Sequence, residues 1–91
     1  MVYLQEAHPI DGRSSAENER RGIWIPQHKV LGERVEAAQS CAQALKLPMP
    51  MVVDGMDNRV GSAYGGWPDR LYIVGTDGRI AYRGDRGPMG F

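Results

Sequence analysis

Hydrophobic positions in the first half of the chain predict a strand, a helix and a second strand. Residues 2–5 and residues 51–54 each have the apolar character of a short buried strand. Between them, residues 26–46 place apolar side chains three and four positions apart, which indicates one amphipathic helix; the charged Arg34 falls inside that stripe. A strand, a helix and a strand in this order form a βαβ unit, so the two strands should run parallel.

The second half of the chain predicts a short helix followed by a β-hairpin. Residues 59–64 are suited to one or two helical turns. Residues 71–74 and 80–82 are predicted strands, and the Asp77-Gly78 pair between them is a strong signal for a tight hairpin turn. We therefore expect a single α/β domain over residues 1–91, made of a βαβ unit, a short helix and an antiparallel hairpin.

Two polar residues follow the first strand closely. In a period-two element Glu6 and His8 lie on the same side, about 7 Å apart along the strand. Ligands often bind at the carboxyl ends of strands in open α/β sheets, and a neighbouring carboxylate raises the pKa of an imidazole. The pair is therefore suited to donating a proton or anchoring a ligand. The alternative is a His8 that is fixed by Pro9, beside a solvated Glu6.

A polar segment over residues 9–25 separates this strand from the predicted helix. It is longer than ordinary strand-to-helix connections, and such loops in small domains are usually functional or disordered. Pro26 suits the first position of a helix, so we expect His28 in the first turn, where the helix dipole disfavours an imidazolium. A neutral His28 can hydrogen-bond a ligand there, or it is an exposed residue at the helix start.

Composition excludes several classes of function. The chain balances 11 basic against 11 acidic side chains, so it lacks the charge that favours nucleic acid or a membrane surface. Its one cysteine, Cys41, excludes an internal disulfide, a Cys-x-x-Cys redox pair and a multi-cysteine zinc site, and its position on the apolar stripe indicates packing. We expect no membrane segment and no export signal. The compartment is left open, and is cytoplasmic if the host is bacterial.

The remaining polar candidates are Arg86 and the set Glu6, His8 and His28. Arg86 lies in a glycine-rich tail, where it is available to bind an anion or belongs to a frayed polar terminus. The other three side chains are spaced irregularly across a long loop, so we predict no metal site.

Six different short motifs are distributed along the whole chain. They are Tyr-x-x-Glu-Ala-His-Pro-x-Asp-Gly at 3–12, Ile-Pro-Gln-His at 25–28, Glu-Arg-Val-x-Ala-Ala at 33–38, Val-Val-Asp-x-Met at 52–56, Ala-Tyr-Gly followed by Arg-Leu-Tyr within 63–72, and Gly-x-Arg-Gly-Pro at 84–88. Together they resemble the iodothyronine deiodinases, a branch of the thioredoxin-like superfamily. The resemblance covers residues 2–91 and places Pro68 at the cis-proline position that precedes the hairpin.

The resemblance implies a fold, an activity and a set of reactants. The fold would be part of a thioredoxin-like domain, without its N-terminal βα unit and its C-terminal helix. The family removes iodine reductively from iodothyronines by means of a selenocysteine or a cysteine. The resemblance therefore implies an iodinated aromatic substrate and a thiol reductant, with no bound cofactor.

The resemblance also implies roles for individual residues. His8 would contact the substrate or supply a proton, and Glu6 and Tyr3 would extend its hydrogen-bond relay. Arg86 would grip the charged end of the substrate. The substrate pocket would further include His28, Trp67 and Pro68.

Several features depart from the family pattern. Trp67 stands where the family often has tyrosine, and Arg13 stands where it often has tryptophan. The nucleophile is expected ahead of Val2. We therefore expect this chain to be the downstream part of a selenoprotein whose UGA codon was read as a stop, and to be inactive by itself because acid-base groups do not replace a nucleophile.

An incomplete sheet would expose a strand edge and an apolar face, which favours a homodimer of the chain. Sedimentation at micromolar concentration that shows only monomer would count against the dimer. Two other functions remain open at this stage. One is a thiol-dependent peroxidase or thioredoxin-like reductase, and the other is a module that only binds a ligand or oligomerises.

Overall fold

The computed structural model describes residues 1–90 and shows a mixed α/β fold. Over these residues the strands and helices follow the order β1 (Val2–Tyr3), α1 (Ala16–Arg20), α2 (Leu31–Ala44), β2 (Val52–Val53), α3 (Arg59–Tyr64), β3 (Tyr72–Val74) and β4 (Ile80–Arg83). The predicted succession of strand, helix, strand, short helix and hairpin is confirmed, with α1 as an addition. None of the helices between residues 1 and 90 is long and apolar enough to cross a membrane.

The strands form two separate two-stranded sheets. β1 and β2 are parallel, with Val2 opposite Val52, which confirms the predicted βαβ unit. β3 and β4 are antiparallel, with Ile73 opposite Tyr82, which confirms the predicted hairpin. Gly78 adopts a φ of 80° in the connecting turn, a conformation that glycine takes without steric cost.

Helix α2 begins at Leu31, later than predicted, because tertiary contacts hold the preceding segment in another conformation. The Gln27 side chain accepts a hydrogen bond from the Glu6 amide (3.1 Å) and donates one to the Glu6 carbonyl (3.1 Å). The Gln27 amide donates to Asp11 Oδ1 (2.9 Å) instead of joining a helix. His28 therefore lies in the connection before α2, and its predicted place in the first helical turn is wrong.

Glu33 stabilises the later start of α2. Its Oε1 atom accepts hydrogen bonds from the amides of Lys29 (2.9 Å) and Val30 (3.3 Å), two groups that have no partner within the helix. The helix ends at Ala44, slightly before the predicted end, and Lys46 then takes a φ of 50° in the turn. The amphipathic stripe thus predicted the helix, and local caps set its length.

Residues 9–25 form an ordered insertion that contains α1. The Ser15 Oγ atom caps this helix by accepting a hydrogen bond from the Asn18 amide (3.0 Å). The two ends of the insertion are tied together by a bond from the Ile10 amide to the Ile25 carbonyl (2.9 Å). The sequence predicted a loop here, because a helix of 5 residues without buried side chains leaves no apolar periodicity.

The interior of the described chain is small and polar. Ala38 on α2 is a buried apolar side chain, whereas His28, Arg34 and Asp54 are buried polar ones. The hairpin, by contrast, leaves much of its apolar surface in solvent, with Ile73 58% exposed. A chain of this length can bury only a thin core, so hydrogen bonds among the buried polar groups have a large share in positioning the site.

Candidate functional site

Three of the predicted site residues meet between β1 and the start of α2. The Tyr3 hydroxyl donates a hydrogen bond to Glu6 Oε1. His28 Nε2 lies 3.7 Å from that same oxygen. The Tyr3 and His28 rings lie side by side, with their centroids 5.9 Å apart and their planes tilted by 41°. A carboxylate oxygen is thus flanked by a phenol and an imidazole, an arrangement that can hold and transfer a proton.

Arg34 holds the other side of His28. The Arg34 Nε atom donates to His28 Nδ1 (3.2 Å), while its Nη1 atom donates to the carbonyls of Gly55 (2.7 Å) and Asp54 (3.3 Å). Arg34 is 2% exposed, so this guanidinium is anchored inside the protein. His28 Nε2, on the Glu6 side of the ring, is buried and has no hydrogen-bond partner within residues 1–90.

Burial shifts the pKa values of the two ring side chains in this cluster. The pKa of His28 is lowered, first because burial disfavours the imidazolium and also because Arg34 is cationic; the negative charge of Glu6 opposes the shift. The pKa of Tyr3 is raised, first by burial and then by its hydrogen bond to Glu6. At neutral pH the cluster therefore holds a neutral imidazole and a protonated phenol.

The lowered pKa of His28 predicts acid sensitivity. In the unfolded chain His28 titrates near 6.5, whereas in the folded chain it takes up its proton only at lower pH. Between these two pKa values the unfolded state binds more protons, so the free energy of unfolding falls as the pH drops below about 6.5. Urea denaturation at a series of pH values measures this slope.

Two histidine variants test the assignment of that slope. His28→Gln should flatten the dependence of unfolding free energy on pH, because it removes the group that titrates differently in the two states. The matched control is His8→Gln, which alters an exposed histidine and should leave the slope in place. A slope that survives His28→Gln and disappears in His8→Gln would contradict the assignment.

The strand geometry from which the pairing of Glu6 with His8 was predicted does not extend to these two residues. β1 ends at Tyr3, and the alternation of a strand does not continue to residue 8. Glu6 faces His28 instead. His8 is exposed, and its Nδ1 atom lies 3.1 Å from the Arg13 carbonyl oxygen. The part of His8 in binding or proton supply stays a prediction.

Trp67 and Arg86 meet at a second place, a cavity of about 220 Å³ beside α3. Arg86 is exposed, and its Nε atom donates to the Gly65 carbonyl (3.3 Å). Pro68 follows Trp67 through a cis peptide bond, as predicted, but it does not line the cavity. The lining residues are Leu4, Gln5, Asp54, Asn58, Gly61, Ser62, Gly65, Trp67 and Arg86.

Sequence reasoning missed Asp54. This residue connects the cluster around His28, through the bond from Arg34 to its carbonyl, with the cavity at Trp67 and Arg86. Its carboxylate accepts the amides of Val60 (3.0 Å) and Gly61 (2.8 Å) at the start of α3. Burial by itself raises the pKa of Asp54, but hydrogen bonds from the Gly61 and Val60 amides and the charge of Arg34 outweigh it, so the pKa is lowered. Asp54 therefore stays ionised and fixes α3, which carries part of the cavity wall.

Arg34 was missed as well, although the sequence held a signal for it. A charged residue inside an apolar helical stripe has to be paired or hydrogen-bonded when the stripe is buried. The partners of Arg34 are separated from it along the chain, so the sequence did not show which groups they are. Among residues 1–90, no three His, Cys, Asp or Glu side chains are grouped closely enough to hold a metal ion.

Comparison with known proteins identifies the class to which this fold and site belong. The model of the family "Iodothyronine deiodinase" matches residues 1–91, and the chain belongs to that family. The predicted family resemblance is thereby confirmed.

Individual relatives are thyroxine 5-deiodinases. That of Sparus aurata is 44% identical over 100% of this chain and 32% of its own length. That of Gallus gallus is 38% identical over 100% of this chain and 33% of its own length, and the human one is 40% identical over 100% and 28%. The chain thus spans about a third of the length of the first two relatives.

Proposed function

We propose that this chain forms the proton-handling and substrate-binding part of an iodothyronine deiodinase-like oxidoreductase. The nucleophile would be a selenocysteine or a cysteine outside these 91 residues, and a thiol would reduce it after each turnover. Tyr3 and Glu6, beside His28, would transfer the proton, while Arg86 and Trp67 would contact an iodinated aromatic substrate. The family match over residues 1–91 supports this proposal.

The contact of Glu6 with both Tyr3 and His28 is the observation that carries the proposal. Reductive deiodination replaces a carbon–iodine bond by a carbon–hydrogen bond, so iodine leaves to the nucleophile and the carbon gains a proton. A carboxylate that already accepts the Tyr3 hydroxyl, beside an imidazole at 3.7 Å, is placed to pass that proton on. His8, exposed at the rim of the same segment, would meet the substrate first.

Cys41 does not fit the role of nucleophile. Its thiol lies within α2, and its pKa is raised, first by burial and then by the negative charge of Glu6. A thiolate is the reactive form, and this environment disfavours it. The same argument weakens the alternative of a thiol-dependent peroxidase or thioredoxin-like reductase, and it leads us to propose that the isolated chain does not turn over substrate.

The two sheets support a partial thioredoxin-like fold. Within residues 1–90, β1 pairs only with β2 and β3 pairs only with β4, so each sheet keeps an open edge. A further strand between β1 and β3 would join them into one mixed sheet, as in that fold. Open edges and the exposed apolar hairpin also support our proposal that isolated copies pair as a homodimer.

One observation favours the non-catalytic alternative. The cavity at Trp67 and Arg86 holds about 220 Å³, below the roughly 300 to 1,000 Å³ of sites that enclose a drug-sized ligand. A module that only binds one end of a ligand would need no larger cavity. The two functions differ in whether iodide is released.

A chimera separates these functions. In the thyroxine 5-deiodinase of Sparus aurata, this chain replaces the third to which it is aligned, and iodide release from thyroxine is measured with dithiothreitol as reductant. We expect the chimera to release iodide and the 91-residue chain alone to release none. A folded chimera without iodide release would favour the binding module. Release by the isolated chain would overturn the proposed place of the nucleophile.

Arg86→Ala should weaken the binding of thyroxine to the chain about 10- to 150-fold. A charge-assisted hydrogen bond from a guanidinium to a carboxylate is worth about 1.5 to 3 kcal/mol, which corresponds to that change in Kd. Titration calorimetry measures it. The matched control is Arg59→Ala, an arginine whose side chain is 84% exposed and, among residues 1–90, forms an ion pair only with Asp57. Equal affinities for the two variants would contradict the role of Arg86.

A further inference from the structure

The contact between Arg34 and His28 determines where the imidazole carries its proton. A guanidinium has only hydrogen-bond donors and keeps its charge in proteins. The Arg34 Nε atom lies 3.2 Å from His28 Nδ1, so that nitrogen has to accept with its lone pair. A neutral imidazole with Nδ1 as acceptor carries its one proton on Nε2, and Nε2 faces Glu6.

We propose that Arg34 is a positioning residue that locks His28 in the neutral Nε2–H tautomer, which makes His28 a fixed hydrogen-bond donor instead of a proton shuttle. The tautomer depends on the contact between Arg34 and His28 alone. Its catalytic meaning rests on the function proposed above, because only there does Glu6 exchange protons during a reaction.

Arg34 is better placed than Glu6 to set the tautomer. Its guanidinium is held at its other end by the Gly55 carbonyl (2.7 Å) and the Asp54 carbonyl (3.3 Å), both beyond the end of β2. These bonds join α2 to the segment after β2, so the direction of the Nε–H group is fixed by two elements. The His28 Nε2 to Glu6 Oε1 distance of 3.7 Å, in contrast, is longer than a hydrogen bond.

This arrangement blocks transfer of a proton through the ring. A histidine shuttle accepts a proton on one nitrogen and releases one from the other. Here a proton on Nδ1 would face the cationic Arg34 and break the bond between them. The charged and titratable groups that act on His28 are Arg34, Glu6, Tyr3 and, more weakly, Glu33. Proton exchange is thereby confined to Glu6 and Tyr3, while the Nε2–H group of His28 faces the carboxylate without exchanging its proton.

Nitrogen-15 NMR of the whole chain tests the tautomer directly. The chain has 2 histidines, so a long-range proton–nitrogen correlation spectrum shows two imidazole patterns, and His8→Gln assigns them. In the unmodified chain we expect His28 to show the single Nε2–H pattern at neutral pH. An Nδ1–H pattern, or an exchange average of both tautomers, would overturn the proposal.

Two variants show which neighbour sets the tautomer. Arg34→Lys keeps the charge and removes the Nε donor, so we expect loss of the single-tautomer pattern. Glu6→Gln keeps Arg34 in place, so we expect the Nε2–H pattern to persist. A folded Arg34→Lys chain with an unchanged pattern would overturn the proposal, and so would a change of tautomer in Glu6→Gln. If Arg34→Lys fails to fold, the spectra of the unmodified chain and of Glu6→Gln still test the proposed tautomer.

These readouts do not depend on catalysis. A chimera that releases no iodide would overturn the proposed function and leave the tautomer of His28 as measured. A wrong tautomer in an active chimera would overturn the role of Arg34 alone.

Discussion

Glu6→Gln should lower iodide release by the chimera at least about 100-fold. Glutamine has nearly the same shape and still accepts the Tyr3 hydroxyl, but its amide cannot take up or give up a proton. Acid-base groups contribute roughly 10²- to 10⁴-fold to a rate, so the loss should fall mainly on kcat. Steady-state kinetics with thyroxine separate kcat from KM.

The control for this variant is Glu36→Gln, which makes the same chemical change at an exposed position of α2. It should leave iodide release close to that of the unmodified chimera. If Glu6→Gln changes only KM, Glu6 binds substrate without transferring a proton. If it unfolds the chimera, Glu6→Asp keeps the acid but shortens its reach, and should retain more activity than any variant without a carboxyl group there.

Arg34→Met should reduce the free energy of unfolding by about 3 kcal/mol or more. Methionine has a similar length but donates no hydrogen bond, so His28 Nδ1 and the carbonyls of Asp54 and Gly55 would lose a buried donor. Each unsatisfied buried group costs about 1 to 3 kcal/mol. A chain of this size has a total stability of only about 5 to 14 kcal/mol, so the loss would be a large share of it.

Urea denaturation of Arg34→Met measures this loss. The control is Arg59→Met, which removes a guanidinium that is 84% exposed and should change stability by less than about 1 kcal/mol. Equal midpoints for the two variants would show that the buried bonds of Arg34 do not stabilise the fold. The result is independent of iodide release and of ligand binding.

Local patterns in the sequence determined most of the architecture. The apolar stripe located α2, the short apolar runs located β1 and β2, and their order made the pair parallel. The Asp77-Gly78 turn located the hairpin. The motifs were sufficient for the family, which the match over residues 1–91 confirmed. Each of these signals is carried by residues that are close together along the chain.

Contacts between distant segments corrected the boundaries. The start of α2 depends on Gln27, which bonds to Glu6 across 21 positions of the sequence. No periodicity encodes such a bond, so the rule that proline begins a helix gave a start that was too early. In the same way α1 depends on a Ser15 cap inside a segment that carries no apolar stripe.

The sequence showed which residue types form the site, and the tertiary structure determined how they are arranged. Sequence supplied its residue types: a tyrosine, a glutamate and histidines near the first strand. It paired Glu6 with His8 because strand alternation places residues two positions apart on the same side. The fold ends that strand early and brings His28 to Glu6, while Arg34, from within a helix, fixes the ring. Hydrogen bonds between buried groups depend on positions in space, and only the packing of β1, α2 and the segment after β2 sets those.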